Sequence, residues 1–184
     1  MPKLKENIRK ISSKQGLYLG IALLVINIGV YLYSNFTHNW VPMISQWYQF
    51  SKFLIITGFA AFTAVLCRKA NMKSFSFQEG FSGFFIAVAI GLGIYTLSNW
   101  LLLDIFDPDA GQIVTNESAK LIEDRLGKME QKPEKIEEAI QQLYDNPPFT
   151  FKNQFLGYLY NLVLYCLPAI LVALLLKTKK PIVK

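Results

Sequence analysis

Four long apolar blocks alternate with polar segments along the chain. The blocks cover residues 16–34, 50–67, 77–103 and 155–176, and their central parts contain no Asp, Glu, Lys, Arg or His. A helix rises about 1.5 Å per residue, so about 20 residues match the roughly 30 Å hydrocarbon core of a bilayer. The pattern predicts an all-α membrane protein, with four transmembrane helices in a single membrane domain, 1–184.

The first block follows a basic segment, an arrangement that it shares with signal peptides. The apolar run is too long for the hydrophobic part of a signal peptide, and residues 35–38 contain no small-x-small cleavage site. We therefore expect a retained anchor. Leu4, Ile8 and Ile11 share one face of the basic segment, which favours a helix that lies on the membrane surface before the chain turns into the bilayer.

The other blocks carry signals at their ends. Lys52 lies one turn inside the second block, where its stem is expected to reach towards the headgroups. Ser76 and Glu79 have the spacing of a capping box before the third block, which predicts a helix that starts near Ser76. Asp104 and the dipeptide Asp107-Pro108 are expected to end that span in water.

The polar segment 104–154 separates the third and fourth blocks. It holds eleven of the thirteen acidic residues and six basic ones, a net charge of −5. Apolar positions recur there at spacings of three and four, which predicts two short amphipathic helices, the second with Pro133 at its first position. The first apolar stripe is Thr115, Ala119, Ile122, Leu126 and Met129, and the second is Ile136, Ala139, Ile140 and Leu143.

The basic residues predict which way the chain crosses the membrane. Five precede the first block, three lie in residues 68–80 and four follow the last block, whereas residues 35–49 contain none. Short basic connections stay in the cytoplasm, so both termini are expected there and the segment 104–154 on the extracytoplasmic side. The basic residues in question are Lys3, Lys5, Arg9, Lys10, Lys14, Arg68, Lys69, Lys73, Lys177, Lys179, Lys180 and Lys184.

Composition agrees with the membrane class and excludes other classes. Hydrophobic residues make up 52% of the chain, charged residues only 17%, and the mean hydropathy is +0.28. A net charge of +6 alone would suit nucleic acid, but these cations flank apolar blocks instead of forming one basic face, so no nucleic-acid partner is expected. The expected partners are the lipid bilayer and either other membrane proteins or further copies of the chain.

The third block carries a family resemblance. The run Ser74-Phe75-Ser76-Phe77-Gln78-Glu79-Gly80-Phe81 and a long aromatic span that ends at Asp107-Pro108 resemble the family called domain of unknown function 4199. The glycine-opened first block, Gly16-Leu17-Tyr18-Leu19-Gly20, and the polar stretch 132–139 are similar as well. The resemblance implies four helices and a location in the bacterial inner membrane. It implies no activity and no catalytic residues.

Polar and small residues inside the blocks are candidate packing or path-lining positions. Asn27, Asn99 and Asn161 either line a path for a solute or form hydrogen bonds between helices, and the second reading is favoured. Small residues four apart allow helix backbones to approach closely. Such residues form the pairs Gly16 with Gly20 and Ala87 with Gly91, and Pro168 is expected to kink the last helix.

No catalytic, cofactor or metal site is predicted. His38 is the single histidine and has no Cys, Asp or Glu at ligand spacing, while Cys67 and Cys166 lack a CxxC arrangement. Phosphate-binding loops and zinc-hydrolase motifs are absent from the sequence as well. The chain is therefore expected not to be an enzyme.

Two functions are compatible with these features. The first is a non-catalytic accessory or scaffold subunit that acts through helix contacts in the bilayer and through the helical insert. The second is a small oligomeric channel or transporter whose path is lined by the asparagines.

Overall fold

A computed structural model describes residues 2–70 and 75–178, with side chains from residue 6 onwards. Within these residues the protein is all-helical. Several positions named above lie outside the described residues or side chains: Lys3, Leu4, Lys5, Lys73, Ser74, Lys179, Lys180 and Lys184.

Seven α-helices and one π-helical segment follow one another in the described chain. They are α1 (Pro2–Thr37), α2 (Val41–Ile44), α3 (Gln46–Ala70), α4 (Phe77–Trp100), the π-helical segment Leu101–Phe106, α5 (Pro108–Lys128), α6 (Pro133–Asp145) and α7 (Phe151–Leu176).

Four of these helices are long and apolar enough to cross a membrane, which confirms the predicted number. Their candidate spans are Glu6–Thr37, Gln46–Ala70, Phe77–Phe106 and Phe151–Leu176. The first and third have 32 and 30 residues, about 48 and 45 Å at 1.5 Å per residue. Both exceed the roughly 30 Å of hydrocarbon, so each span has turns to spare at its ends.

The predicted start of α4 is confirmed by its hydrogen bonds. The Glu79 amide donates to Ser76 Oγ at 3.3 Å, and the Ser76 amide donates to Glu79 Oε2 at 2.7 Å. This reciprocal pair is a capping box, which satisfies two backbone donors that the first turn of a helix otherwise leaves open.

Contacts divide the chain into two compact units. The first comprises the described residues of Met1–Leu24, Ser51–Tyr95 and Tyr158–Lys184, and the second comprises Val25–Phe50 and Thr96–Gly157.

The first unit has a core of side chains from α1, α3, α4 and α7. Phe53 and Tyr165 stack inside it with ring centroids 5.2 Å apart. Small residues from three helices are fully buried and let these helices approach one another. The buried members of the core are Leu19, Leu23, Ile56, Ala60, Ala64, Phe84, Val88, Leu92, Tyr165 and Ala169.

At another point of the first unit the N-terminal part of α1 packs against protein. Ile8 is buried with Cys67 and Phe75, and Ser12 lies 3.4 Å from the Cys67 sulfur. Because α1 is one continuous helix from Pro2 and the Ile8 side chain is covered by protein, the prediction of a separate surface helix that turns into the bilayer is wrong.

The second unit has its own apolar core, built from α2, the π-helical segment and α5. Trp40, Met43, Leu103, Ala110 and Val114 are its buried members. The T-shaped contact of Tyr31 with Trp40, at 5.9 Å between centroids, joins this core to α1.

The two amphipathic helices α5 and α6 also belong to the second unit. Proline is found at the start of both, at a position where its missing amide costs no hydrogen bond. Tyr144 on α6 donates to Asn116 Oδ1 on α5 at 3.1 Å, so the two helices are folded onto each other.

A glycine-to-alanine pair on α1 tests the close helix packing. A Cβ on Gly20 would collide with the Ile94 side chain of α4, whereas a Cβ on Gly29 would have no described neighbour within 4 Å. Alanine favours a helix by about 0.8–1.0 kcal/mol over glycine, so Gly29→Ala is expected to keep or raise the free energy of unfolding in detergent.

Gly20→Ala is expected to be about 1–3 kcal/mol less stable than the Gly29→Ala control, because an added methyl group in a tight contact displaces its neighbours. Equal stability of the two variants would show that α1 and α4 do not pack as described.

Candidate functional site

Asp107 connects three elements of the second unit. It follows the π-helical segment and precedes α5, and its Oδ1 accepts from the Ala110 amide at 3.0 Å, which caps the helix. Its Oδ2 accepts from the Tyr31 hydroxyl of α1 at 2.6 Å. One carboxylate therefore fixes the start of α5 and ties it to α1, and we call this arrangement the Asp107 junction.

The π-helical segment and α5 approach each other closely at this junction. The Asp107 amide donates to Leu102 O at 2.9 Å, the five-residue spacing of a π-helix. A Cβ on Gly111 would collide with the Leu103 carbonyl oxygen, so only glycine fits there. The wider helix turn and the missing side chain together let α5 fold back tightly after the third span.

A shallow groove of about 290 Å³ lies next to α5 in the second unit. Its volume is at the lower end of the range for small-molecule sites. Three of its lining residues are apolar and three carry hydrogen-bonding side chains. The lining residues are His38, Asn39, Trp40, Val41, Ile113 and Glu117.

The charge of Glu117 in this groove is paired. Lys120 donates to Glu117 Oε1 at 2.7 Å, and this hydrogen bond and the nearby carboxylate raise the pKa of Lys120. Asn39 is also engaged, because its Oδ1 accepts from the Val41 amide at 3.2 Å. The groove therefore offers few uncommitted polar groups to a ligand.

The three predicted asparagines have different environments. Asn27 is 1% exposed, and neither atom of its amide has a hydrogen-bond partner among the described residues. Asn99 is buried and donates to Gln154 Oε1 at 3.4 Å. Asn161 is exposed on α7.

The three asparagines therefore differ in burial and in the unit to which they belong. Asn27 and Asn99 belong to the second unit, and Asn161 belongs to the first. Leaving a buried amide without a partner costs roughly 1–3 kcal/mol in proteins, which makes Asn27 the unusual member of the set.

The predicted small-residue pairs face each other within the first unit. Gly16 of α1 lies against Ala87 and Ile90 of α4, and Gly91 of α4 lies against Leu19 of α1. These residues therefore let α1 and α4 approach closely. Pro168 lies inside α7, which continues on both sides of it.

Lys52 has a role that its position in the sequence did not predict. Its Nζ lies 3.1 Å from the Tyr95 hydroxyl and 4.4 Å from the centre of the Tyr95 ring. The side chain is half-buried, and its ammonium contacts a tyrosine of the first unit. Such contacts combine a hydrogen bond with cation–π attraction.

The Asp107 junction and the groove were also missed from the sequence. Asp107 followed by Pro108 is a signal for a helix cap, since aspartate is favoured before the first turn and proline within it. The pairing of Asp107 with Tyr31, 76 residues apart, has no local signal.

Neither serine nor cysteine lines the groove, and within residues 2–70 and 75–178 no three His, Cys, Asp or Glu side chains stand close enough to hold a metal ion.

Comparison with known proteins gives one match, to a protein family. The family model described as protein of unknown function (DUF4199) matches residues 14–178, which confirms the resemblance carried by the third block. Neither a curated protein nor a solved structure matches the chain.

Replacement of Asp107 tests the junction. Asp107→Ala removes a helix cap, at a cost of about 0.5–2 kcal/mol, and a charged hydrogen bond from Tyr31, at about 1.5–3 kcal/mol. We expect the free energy of unfolding in detergent to fall by about 2–5 kcal/mol, the sum of the two losses. Asp109→Ala is the matched control, because Asp109 is exposed and lies two residues further along the chain. It should change the free energy of unfolding by about 0.5 kcal/mol.

A double-mutant cycle with Tyr31→Phe separates the two contributions. The loss in the double variant should be smaller than the sum of the two single losses by about 1.5–3 kcal/mol, because each single variant removes the same hydrogen bond. Strict additivity would mean that Tyr31 and Asp107 are not coupled.

Proposed function

The chain belongs to the DUF4199 family of proteins of unknown function, and from this membership and the geometry above we propose a non-catalytic accessory or scaffold subunit of the bacterial inner membrane. It acts through contacts of its spanning helices and through the helical insert formed by α5 and α6.

The charge pattern supports the proposed orientation. Cations flank the ends of the spans that lie near both termini and near residues 68–80, while the connection 35–49 has none. In this proposal both termini and residues 68–80 are cytoplasmic, and α5 and α6 are extracytoplasmic. Helices α5 and α6 would then lie on the extracytoplasmic side of the inner membrane.

The observation that carries the proposal is the incomplete burial of α6. Apolar and polar side chains are separated on opposite faces of this helix, yet none of its residues is buried. Ile136, Ala139, Ile140 and Leu143 are only half-covered, and Tyr144 is 47% exposed. An amphipathic helix gains most of its stability by covering its apolar face, so this face is suited to a further protein surface.

Helix α5, onto which α6 is folded, is itself anchored in the second unit. Helix α5 is held by the Asp107 junction, and its residues Ala110, Val114 and Ala119 are buried. A helix presented on a fixed base loses little conformational freedom when it binds, which favours a docking role.

A solute path is the alternative, and Asn27 is the observation that favours it. A buried amide with no partner among the described residues is suited to bind a passing hydrogen-bonding solute. The exposed Asn161 does not contribute to such a path within one copy. Solute flux in liposomes that is lost in Asn27→Leu and kept in Gly29→Ala would move the alternative ahead of the accessory role.

Site-directed photo-crosslinking tests the accessory role. A benzoylphenylalanine at Tyr144, on the exposed edge of the apolar face, is expected to capture a protein in native membranes. The same residue at Glu138, on the polar face of α6, is the matched control and should give at least about fivefold less product. Equal yields at the two positions, or lipid adducts alone at Tyr144, would contradict a docking role for α6.

A further inference from the structure

Helix α7 buries one side and leaves the rest of its surface uncovered. Tyr165, Ala169 and Ala173 face the interior of the first unit and are at most 3% exposed. Large apolar side chains on the remaining surface are far more exposed, such as Leu175 at 81%. In hydrocarbon this surface faces either lipid or another helix.

One row of positions along this surface has a regular spacing; four of its members are exposed and the central one, Pro168, is half-buried. Successive members are three, four, three and four residues apart, the spacing that lets two helices interlock along their length. Leu164 and Leu171 are 40% and 62% exposed within this row. We call it the α7 seam, and its members are Asn161, Leu164, Pro168, Leu171 and Leu175.

Asn161 is the polar member of the seam. It is the eleventh of 26 residues in α7, so it lies within about 4 Å of the middle of the helix along its axis. Its side chain is exposed in the single chain. A carboxamide that faces lipid tails at this depth is unfavourable, whereas the same group between two helices is stabilising.

A carboxamide has two donor hydrogens and two acceptor lone pairs. A bond within its own helix therefore leaves capacity for a second bond across an interface. Its charge distribution is also complementary to itself, because the partly positive NH₂ group of one carboxamide fits the partly negative oxygen of an identical one.

We propose that α7 pairs with α7 of a second copy along this seam, with Asn161 hydrogen-bonded to Asn161 of that copy near the middle of the bilayer. This inference rests on the proposed function, because it names the partner for one of the helix contacts. Copies inserted in the same orientation are related by a twofold axis along the membrane normal, which places each seam residue opposite itself. A single polar residue in such a seam fixes its register and favours two strands.

Disulfide trapping tests the seam directly. The full chain carries Cys67→Ala and Cys166→Ala, and one new cysteine is introduced as Leu164→Cys. Oxidation in native membranes is expected to convert more than about half of this variant to a covalent dimer, because a disulfide needs Cβ atoms about 4 Å apart. The control is Val163→Cys, which lies at the same depth and is 68% exposed but points away from the seam.

A dimer yield from Val163→Cys equal to that from Leu164→Cys would overturn the proposal, since random collision would explain both. Absence of dimer from Leu164→Cys would overturn it as well.

A second variant tests the role of Asn161. Asn161→Leu is expected to weaken dimerisation in detergent about 10-fold, the change produced by losing two interhelical hydrogen bonds of average strength. Val163→Leu is the control and should leave the dimer dissociation constant within about twofold. An unchanged constant in Asn161→Leu would remove Asn161 from the interface.

The same membranes distinguish failure of this inference from failure of the proposed function. If Leu164→Cys forms no dimer but Tyr144 still captures a protein, the accessory role stands and the second copy is excluded as the α7 partner. If neither product forms, both are contradicted.

Discussion

A peptide group that enters hydrocarbon loses its hydrogen bonds to water and must replace them within the protein. The α-helix does this for every interior residue, and four stretches of this chain contain apolar side chains over enough length to use it. Helix ends are the places where the replacement fails, since four amides remain open at the N-terminal end and four carbonyls at the C-terminal end. The structure meets this requirement with specific devices. Ser76 and Glu79 close the start of α4, and Asp107 closes the start of α5 immediately after the third span.

Packing inside hydrocarbon cannot depend on the hydrophobic effect, because lipid tails are as apolar as the side chains. Close contact has to come from shape. Gly16, Gly20 and Gly91 supply it in the first unit, where α1 and α4 approach so nearly that added methyl groups would collide with the facing helix. In the second unit a separate apolar core forms around Trp40 and Val114. Both units therefore combine close backbone approach at glycines with burial of large side chains, such as Phe84 in the first unit and Trp40 in the second.

The sequence predicted the parts of the fold that depend on local composition. Four spans follow from the length of apolar runs, and the capping box follows from two residues three positions apart. The faces of the spans could not be predicted, because an almost uniformly apolar helix shows no contrast between its lipid-facing and core-facing sides. For this reason Asn27 and Asn161 looked alike in sequence, although one is buried and the other exposed. Long-range pairs such as Tyr31 with Asp107 leave no local pattern at all. The Lys52 contact with Tyr95 was hidden for the same reason.

The side of the membrane on which α6 lies, in the proposed orientation, depends on the distribution of charge along the chain. If the cations near residues 68–80 and both termini hold their helix ends at the inner leaflet, the half-covered apolar face of α6 is accessible to partners outside the cytoplasm. Labelling of single cysteines with a membrane-impermeant thiol reagent in intact spheroplasts measures this directly, in a chain with Cys67→Ala and Cys166→Ala. The proposed orientation predicts that Glu123→Cys is labelled without permeabilisation and that Glu6→Cys is labelled only after the membrane has been permeabilised. Labelling of Glu6→Cys in intact spheroplasts with protection of Glu123→Cys would contradict it.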